Sequence, residues 1–249
     1  MPFPKSVASA VFAGLILVAA GANAEPTIYF GENTTPANFV SGDPLAARTE
    51  FAGLLSGVRT ETFSGFAIGN TAPLALNFTG TSSTITATLT GEGQVYGVDP
   101  VSQGRFNTTG ATAGPTPGNW WDVAGLFQLD FSEGISAFGF YGTDIGDFSG
   151  QVTVALRDAN TAAVTTYTIV NDPSAGNASL LFWGFIDAAA AYDRITFGNT
   201  ASGTDFFGFD DMTIGDAGQI VNPVPEPGSL ALVGASLLAL AATRRRRRA

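Results

Sequence analysis

The sequence contains no cysteine and no histidine among its 249 residues. Without cysteine there is no disulfide bond, no thiol nucleophile and no thiolate metal site. Without histidine the chain lacks the commonest general base and the commonest ligand of transition metals. Any chemistry must therefore use Asp, Glu, Tyr, Ser, Thr or Arg side chains. The lack of cysteine does not exclude an exported protein, because a chain of this length buries enough surface to fold without disulfide bonds.

Charged residues are also scarce, at 13% of the chain, and basic residues are the scarcer kind, with 11 against 21 acidic ones. Six of the basic residues lie in the terminal segments: Lys5, Arg244, Arg245, Arg246, Arg247 and Arg248. The stretch from Glu25 to Val224 therefore holds five basic and twenty acidic residues, a net charge of −15. Such a surface repels nucleic acids and anionic membranes and suits cations or neutral partners, so we expect no nucleic-acid partner.

Residues 1–24 have the three parts of a secretory signal peptide. Lys5 supplies the positive region, residues 7–20 form an apolar run, and Ala22-Asn23-Ala24 is a small-x-small cleavage site. We expect the secretion machinery to cleave after Ala24 and to export the remainder of the chain.

Residues 222–249 form a second targeting segment. An apolar run over 229–243 directly precedes the five arginines at 244–248. As a helix this run spans about 22 Å, which is less than the roughly 30 Å of a hydrocarbon core. Positive charge beside an apolar segment stays cytoplasmic, which leaves the preceding domain outside the cytoplasm. The sequence therefore predicts a transmembrane sorting helix that tethers a precursor to a membrane, rather than a nucleic-acid arm. Its stop-transfer residues are Arg244, Arg245, Arg246, Arg247 and Arg248.

The residues before the apolar run resemble a known sorting signal. Val224, Pro225, Glu226 and Pro227, with the apolar run and the arginines, resemble the PEP-CTERM segment of exported proteins of Gram-negative bacteria. The same segment is also labelled an ice-binding protein C-terminal domain, a name that by itself implies no ice binding. The resemblance implies that an exosortase recognises these four residues and removes the tail. It also implies a precursor that is tethered to the inner membrane with its domain in the periplasm. The final place is then the cell surface or an extracellular matrix, often with exopolysaccharide.

Residues 25–221 have the pattern of one β-rich domain that begins with a short helix. The helix is expected within 41–55, where Leu45, Phe51 and Leu54 fall on one face. Short segments of strand character follow between Gly, Asn, Asp and Pro residues. We predict strands at 59–66, 74–78, 83–90, 123–131, 135–141, 151–156, 164–170, 180–185, 194–197 and 206–214.

This spacing of strands is typical of an all-β, antiparallel, jelly-roll-like β-sandwich, and a β-barrel is the alternative. Two segments, 137–150 and 208–215, also resemble exported PEP-CTERM proteins that carry the same sequences. That resemblance implies a type of fold and a location, but it implies no reaction.

Four aspartates are candidate ligands of a structural Ca²⁺ ion: Asp144, Asp147, Asp205 and Asp210. Hard cations take several carboxylate and carbonyl oxygens. Asp144 and Asp147 flank a glycine-containing turn, where such oxygens can converge. The alternative is that these side chains cap turns and bind no metal.

Trp120 and Trp121 follow a Gly- and Pro-rich loop and are candidate ligand residues. The apolar face and polar rim of an exposed indole ring suit stacking on sugars. Adjacent residues of a strand point to opposite faces, so at most one of the two rings is expected to be exposed. The alternative is that both rings pack in the core.

These patterns together indicate an exported protein of the envelope or extracellular matrix that is processed through its C-terminal signal and contacts polysaccharide. We expect no enzymatic activity and assign no catalytic residue. Two alternatives stay open: a structural surface protein without a ligand, and a glycoside hydrolase that uses paired carboxylates.

Overall fold

The computed structural model describes residues 25–35, 40–97, 104–110, 118–146, 148–201 and 205–221. Within these ranges, no helix has both the length and the apolar character needed to cross a membrane.

The predicted signal peptide at 1–24 and the predicted sorting segment at 222–249 lie outside the described ranges. The sorting segment includes the motif residues Val224, Pro225, Glu226 and Pro227 and the stop-transfer residues Arg244, Arg245, Arg246, Arg247 and Arg248. The cleavage after Ala24, the transmembrane run at 229–243 and the stop-transfer role of the arginines therefore stay predictions.

The described residues form a series of β-strands with one α-helix near the start. The elements are β1 (Thr27–Asn33), α1 (Gly42–Gly53), β2 (Thr60–Glu61), β3 (Leu74–Thr79), β4 (Thr84–Gly91), β5 (Gln94–Tyr96), β6 (Trp120–Val123), β7 (Phe127–Ile135), β8 (Ala137–Thr143), β9 (Val152–Asp158), β10 (Val164–Thr168), β11 (Leu180–Ile186), β12 (Tyr192–Asn199) and β13 (Phe207–Gly215), with a 3-10 turn at Ala217–Gln219.

The strands form two antiparallel sheets. The first sheet has the order β1-β11-β8-β13-β6-β5, with β2 also paired to β13, and the second has the order β10-β9-β12-β7-β4-β3. This arrangement confirms the predicted antiparallel β-sandwich with one short helix. The alternation of buried and exposed residues along β3 and β4 is the pattern expected where one face of a sheet meets the core and the other meets water.

Phenylalanine rings fill the space between the two sheets. Phe127 and Phe197 stack with ring centroids 4.3 Å apart. Phe140, from the first sheet, meets Phe197 at 5.4 Å and Phe209 at 5.3 Å. Offset and edge-to-face pairs of this kind add to the stabilisation from burial, so this cluster is the centre of the core.

The first sheet is also covered on its outer face, which explains why every residue of β8, β11 and β13 is buried. Helix α1 packs there through Phe51, whose ring lies 5.5 Å from that of Phe182. A Cβ atom at Gly139 would meet Phe182 at 2.8 Å and Phe51 at 3.0 Å. Glycine at this position therefore leaves room for the helix to pack against the sheet. Because these strands are covered on both faces, their sequences are continuous apolar runs rather than alternating apolar and polar residues.

Two predicted strands are corrected by the structure. The strand expected at 59–66 ends at Glu61, because Phe63 has a left-handed φ of 55° and the Glu61 carboxylate accepts the Phe63 N–H at 2.8 Å. The strand expected at 123–131 is two strands, since β6 belongs to the first sheet and β7 to the second. The strands β1 and β5 were not predicted.

Candidate functional site

Asp144, a predicted metal ligand, lies against an arginine. Arg105 Nε donates to Asp122 Oδ1 at 2.5 Å, and Arg105 Nη1 lies 3.4 Å from Asp144 Oδ2. Asp144 Oδ1 also accepts the Ala178 N–H at 3.2 Å. A Cβ atom at Gly104 would collide with this carboxylate, so a glycine is required beside it. The guanidinium thus supplies positive charge to two buried carboxylates.

Burial dominates the electrostatics of this group. Desolvation raises the pKa of Asp144 and the pKa of Asp122 above their usual values, and Arg105 opposes the rise at both. The pair of carboxylates and the arginine connect the segment 104–110 to the outer face of the first sheet. A buried ion pair of this kind fixes geometry more than it adds net stability.

Of the other predicted metal ligands, Asp205 lies near enough to Asp144 for its charge to contribute to the raised pKa of that carboxyl. Asp205 accepts the N–H of Phe206 at 2.7 Å, and Asp210 contacts the 104–110 segment instead. Asp147 lies outside the described residues. Among the described residues, no group of three or more acidic side chains is placed to hold a metal ion. A structural Ca²⁺ ion stays a prediction.

Asp210 and its neighbour Asp211 lie at an irregularity in β13. The register with β8 shifts between Asp210 and Thr213, and Asp211 has a left-handed φ of 50°. Asp210 Oδ2 accepts the Thr108 N–H at 2.8 Å and the Thr108 hydroxyl at 3.0 Å. Asp211 Oδ1 accepts the hydroxyl of Thr109 at 2.7 Å. The two carboxylates therefore hold a segment about one hundred residues away in sequence.

The pKa of Asp210 is raised well above its usual value by burial and then by the neighbouring charge of Asp211. Burial also raises the pKa of Asp211. The sequence predicted Asp210 as a metal ligand, and the adjacent acid Asp211 inside the same predicted strand was a visible signal. Their partners, Thr108 and Thr109, gave no such signal.

Trp120 and Trp121 are both buried, with exposures of 2% and 0%. Trp121 faces the core, where its ring stacks with that of Phe63 at 6.2 Å. Trp120 faces the opposite side, where Tyr96 covers it at 5.5 Å and Asp122 Oδ1 accepts its Nε1–H at 3.3 Å. The two rings do point to opposite faces, but the structure gives neither of them the exposed face that stacking on a sugar requires.

A groove of about 400 Å³ lies where the edges of the two sheets meet. Glu25 and Pro26 precede β1, the edge strand of the first sheet, and β10 is the edge strand of the second. The segment 187–191 connects the two sheets beside them. The polar and aromatic lining residues are Glu25, Asp158, Asn160, Thr161, Thr165, Tyr167, Asp187 and Tyr192.

Hydrogen bonds fix both walls of this groove. Asp158 Oδ1 accepts the N–H groups of Asn160 and Thr161 at 2.8 and 2.7 Å, which closes the turn between β9 and β10. Asp187 Oδ1 accepts the Ala189 N–H at 2.9 Å, and Asp187 Oδ2 accepts the Tyr192 hydroxyl at 2.7 Å. The two walls are joined because the Ala159 N–H donates to the Ala191 carbonyl at 2.8 Å.

The groove combines an ionised carboxylate with a neutral tyrosine hydroxyl. Bonds from Thr161 and Asn160 lower the pKa of Asp158, so this carboxylate is ionised even in mild acid. Burial, and then the carboxylates of Glu25 and Asp187, raises the pKa of Tyr167, so its hydroxyl stays a hydrogen-bond donor. The Tyr167 ring is half-buried against Trp183 and leaves part of its surface open. Among the described residues, the lining contains no lysine or arginine.

The sequence had not selected this groove. The Asp158-Ala-Asn160-Thr161 turn could have been recognised, because Asp side chains commonly bond to the backbone two residues on. The approach of Asp187 and Tyr167 depends on how the two sheets meet, which no local pattern encodes.

A larger hollow, of about 570 Å³, lies between β1 and α1. Its carboxylates include Glu50 and Glu32, and Glu32 accepts the N–H of Asp172 at 2.9 Å. Its tyrosine, Tyr29, is buried beside Phe51 and has its pKa raised by burial and by Glu50. The smaller groove combines a partly open ring with a fixed carboxylate, and we therefore take it as the candidate binding site.

Comparison with known proteins gives limited similarity over the β-domain. No curated protein matched the chain. A variant of the family 29 carbohydrate-binding module CBM29-2 is 15% identical, with a TM-score of 0.30, over 64% of this chain and 98% of that one. The structure of TmCBM61 in complex with β-1,4-galactotriose is 9% identical, with a TM-score of 0.25, over 51% and 86% of the two chains. At these scores the similarities carry no inference about a ligand.

The C-terminal segment gives a definite match. Residues 223–247 match the model of the PEP-CTERM protein-sorting motif, in agreement with the resemblance of Val224 to Pro227 and the segment that follows. The matched range includes four of the five terminal arginines: Arg244, Arg245, Arg246 and Arg247. A motif of this kind implies export and processing at a membrane. The chain is therefore an exported protein that carries a PEP-CTERM sorting motif.

Proposed function

We propose that this protein is a non-enzymatic component of the cell envelope or extracellular matrix that binds polysaccharide in the groove between the two sheet edges. In this proposal an exosortase removes the tail at or near residues 224–227. Before that step the apolar run and the arginines at 244–248 hold the precursor at the inner membrane, with the domain in the periplasm. The processed domain then reaches the cell surface or the matrix.

The geometry of the groove is the observation that carries the binding proposal. A sugar ring presents apolar C–H faces and a rim of hydroxyls, and both find partners here. The open part of the Tyr167 ring offers an apolar surface, and its hydroxyl donates. Asp158 and Thr161 offer acceptors along the same wall. Because hydrogen bonds already fix both walls, little conformational freedom is lost on binding.

Two of the three carboxylates of the groove, those of Asp158 and Asp187, are better suited to binding than to catalysis. A glycoside hydrolase needs one carboxyl with a raised pKa as the general acid. The pKa of Asp158 is lowered instead. Asp187 is occupied by three donors, the N–H groups of Ala189 and Ala190 and the hydroxyl of Tyr192.

Replacement of Tyr167 by alanine is expected to weaken binding to a polysaccharide about tenfold, because it removes both the ring surface and the hydroxyl. The measurement is binding of the purified protein to a glycan array, followed by titration with the glycan that binds. Phe206→Ala is the matched control, since it removes a surface ring that is 49% exposed and outside the groove lining. Melting curves establish that both variants are folded.

Two results would contradict the proposal in different ways. If the unmodified protein binds no glycan, the structural surface protein without a ligand becomes the better account. If Tyr167→Ala and Phe206→Ala bind equally well, the binding surface lies outside the groove.

A further inference from the structure

We infer that the groove selects polysaccharides that carry free amino groups, so that its ligand is a cationic glycan rather than a neutral or uronic one. This inference rests on the proposed function of the same groove and names the class of sugar that it takes. It follows from the charges that line the groove, the fixed position of one carboxylate and the absence of lysine and arginine among the described lining residues.

Negative charge is present on two sides of the groove. Glu25 lies on the side of the first sheet, and Asp158 lies on the side of the second, at the end of β9. The bonds that Asp158 accepts from Asn160 and Thr161 all end on Oδ1. No donor among the described residues reaches Oδ2 of this side chain, so that oxygen is available to a ligand.

None of the described lining residues is a lysine or an arginine. The α-ammonium group that cleavage after Ala24 leaves on Glu25 offsets one of the three lining carboxylates, which belong to Glu25, Asp158 and Asp187. The arginine next in sequence, Arg157, is held in a two-point contact by Asp193, with Nε–Oδ1 and Nη2–Oδ2 distances of 2.7 and 2.8 Å. Alternation along β9 places Arg157 and Asp158 on opposite faces of the strand. The remaining negative charge of the groove is therefore open to a cationic ligand.

A sugar ammonium matches this setting in hydrogen bonding as well as in charge. It carries three donors and no acceptor, and the groove offers carboxylate and hydroxyl oxygens from Asp158, Thr161 and Thr165. An N-acetyl group removes the charge and adds bulk. A uronic acid brings a carboxylate toward a groove that already repels it, and like-charge contact of this kind excludes wrong partners.

The experiment compares three oligosaccharides of equal length: a β-1,4-linked glucosamine oligomer, its fully N-acetylated form and an oligouronate. Binding to the purified protein is measured by calorimetry at a mildly acidic pH, where the amines are protonated, and at low and high salt. We expect the amine form to bind on the order of tenfold more tightly than the acetylated form. We expect the uronate to bind least and the preference to shrink as salt rises.

Matched variants separate the groove from the overall charge of the domain. Asp158→Asn keeps the oxygen that closes the turn but removes the charge. Glu92→Gln makes the same change in charge in the exposed turn after β4, where Gly91 pairs with the start of β7. The groove lies near the other end of β7, where Ile135 pairs with Tyr192. The preference for the amine form should disappear in Asp158→Asn and persist in Glu92→Gln.

The outcomes distinguish failure of the amine preference from failure of the proposed polysaccharide binding. Equal binding of the amine and acetylated forms would overturn the inference and leave the proposed polysaccharide binding in place. Binding of none of the three, together with a negative glycan array, would overturn the proposed function itself. An amine preference that both variants retain would show a non-specific effect of net charge and would also overturn the inference.

Discussion

Replacement of Phe140 by alanine is expected to lower the free energy of unfolding by about 3–5 kcal/mol, the range seen when a fully buried phenylalanine is removed from a core. Phe140 is 0% exposed, and its ring lies within 5.4 Å of the rings of Phe197 and Phe209. These partners come from both sheets, so the cavity cannot close without moving one sheet against the other. Chemical denaturation measures the change.

Phe206→Ala is the control for this prediction. It removes the same ring from a position that is half exposed, where the ring contacts the guanidinium of Arg105 at 5.3 Å. The expected loss is about 1 kcal/mol or less, because an exposed cation–π contact contributes little. Equal losses for the two variants would mean that the two sheets do not share the core described above.

Replacement of Asp210 by alanine is expected to cost about 2–4 kcal/mol of unfolding free energy, because each buried donor left without an acceptor costs about 1–3 kcal/mol. The carboxylate accepts the N–H groups of Thr108 and Asp211 and the hydroxyl of Thr108. Asp210 is 1% exposed, so water does not replace it readily. The segment 104–110 should lose its protection against hydrogen exchange in this variant.

Asp172→Ala is the matched control, since Asp172 is exposed and accepts the N–H and hydroxyl of Ser174 in a surface turn. Water takes over those bonds when the carboxylate is removed, so stability should change far less. If Asp172→Ala and Asp210→Ala lowered the free energy of unfolding equally, Asp210 would not be the residue that holds the segment 104–110.

The pH dependence of Asp210→Asn gives an independent check on the same site. The pKa of Asp210 is raised in the native state, while the unfolded chain ionises this group near its usual value of about 3.9. The stabilisation from the bound proton is complete below that value and is lost as the pH rises through the raised pKa. The stability of the unmodified protein relative to Asp210→Asn should therefore fall with rising pH and then level off. If the stability of the unmodified protein relative to Asp210→Asn grew with rising pH, the raised pKa of Asp210 would be contradicted.

Local pattern predicted much of the sandwich. The alternating Thr and apolar residues of β4 and the run of β9 appear where they were expected. The edge strand β1 was missed because it is set by its pairing with β11, about 150 residues later. The crossing from β6 to β7 was missed because Gly125 is the one turn-favouring residue between Val123 and Phe127, and an isolated glycine is also found inside strands.

The sites were less predictable than the fold, because they depend on long-range contacts. Asp144 and Asp210 were predicted as metal ligands, but the sequence could not show that Arg105 or Thr108 would be their partners. Trp120 and Trp121 were predicted to bind a sugar because exposed indole rings stack on sugars. Both rings are buried, so neither can do so. Tyr167 gave no signal at all, since a half-buried tyrosine on an edge strand looks like any other strand residue.

The C-terminal sorting segment could be recognised from sequence because a signal of this kind is linear. A processing enzyme recognises an extended stretch, and the order of Pro225, Glu226, the apolar run and the arginines is the whole of the signal. For this reason the family match at 223–247 agrees with the sequence prediction, although these residues lie outside the described part of the structure.

Mass spectrometry of the protein recovered from outside the producing cell tests the central claim most directly. The account predicts a chain that begins at Glu25 and ends at or near residues 224–227, and a longer form with its tail in cells that lack the exosortase. An exported chain that keeps Arg244 to Arg248 in cells with an active exosortase would contradict it.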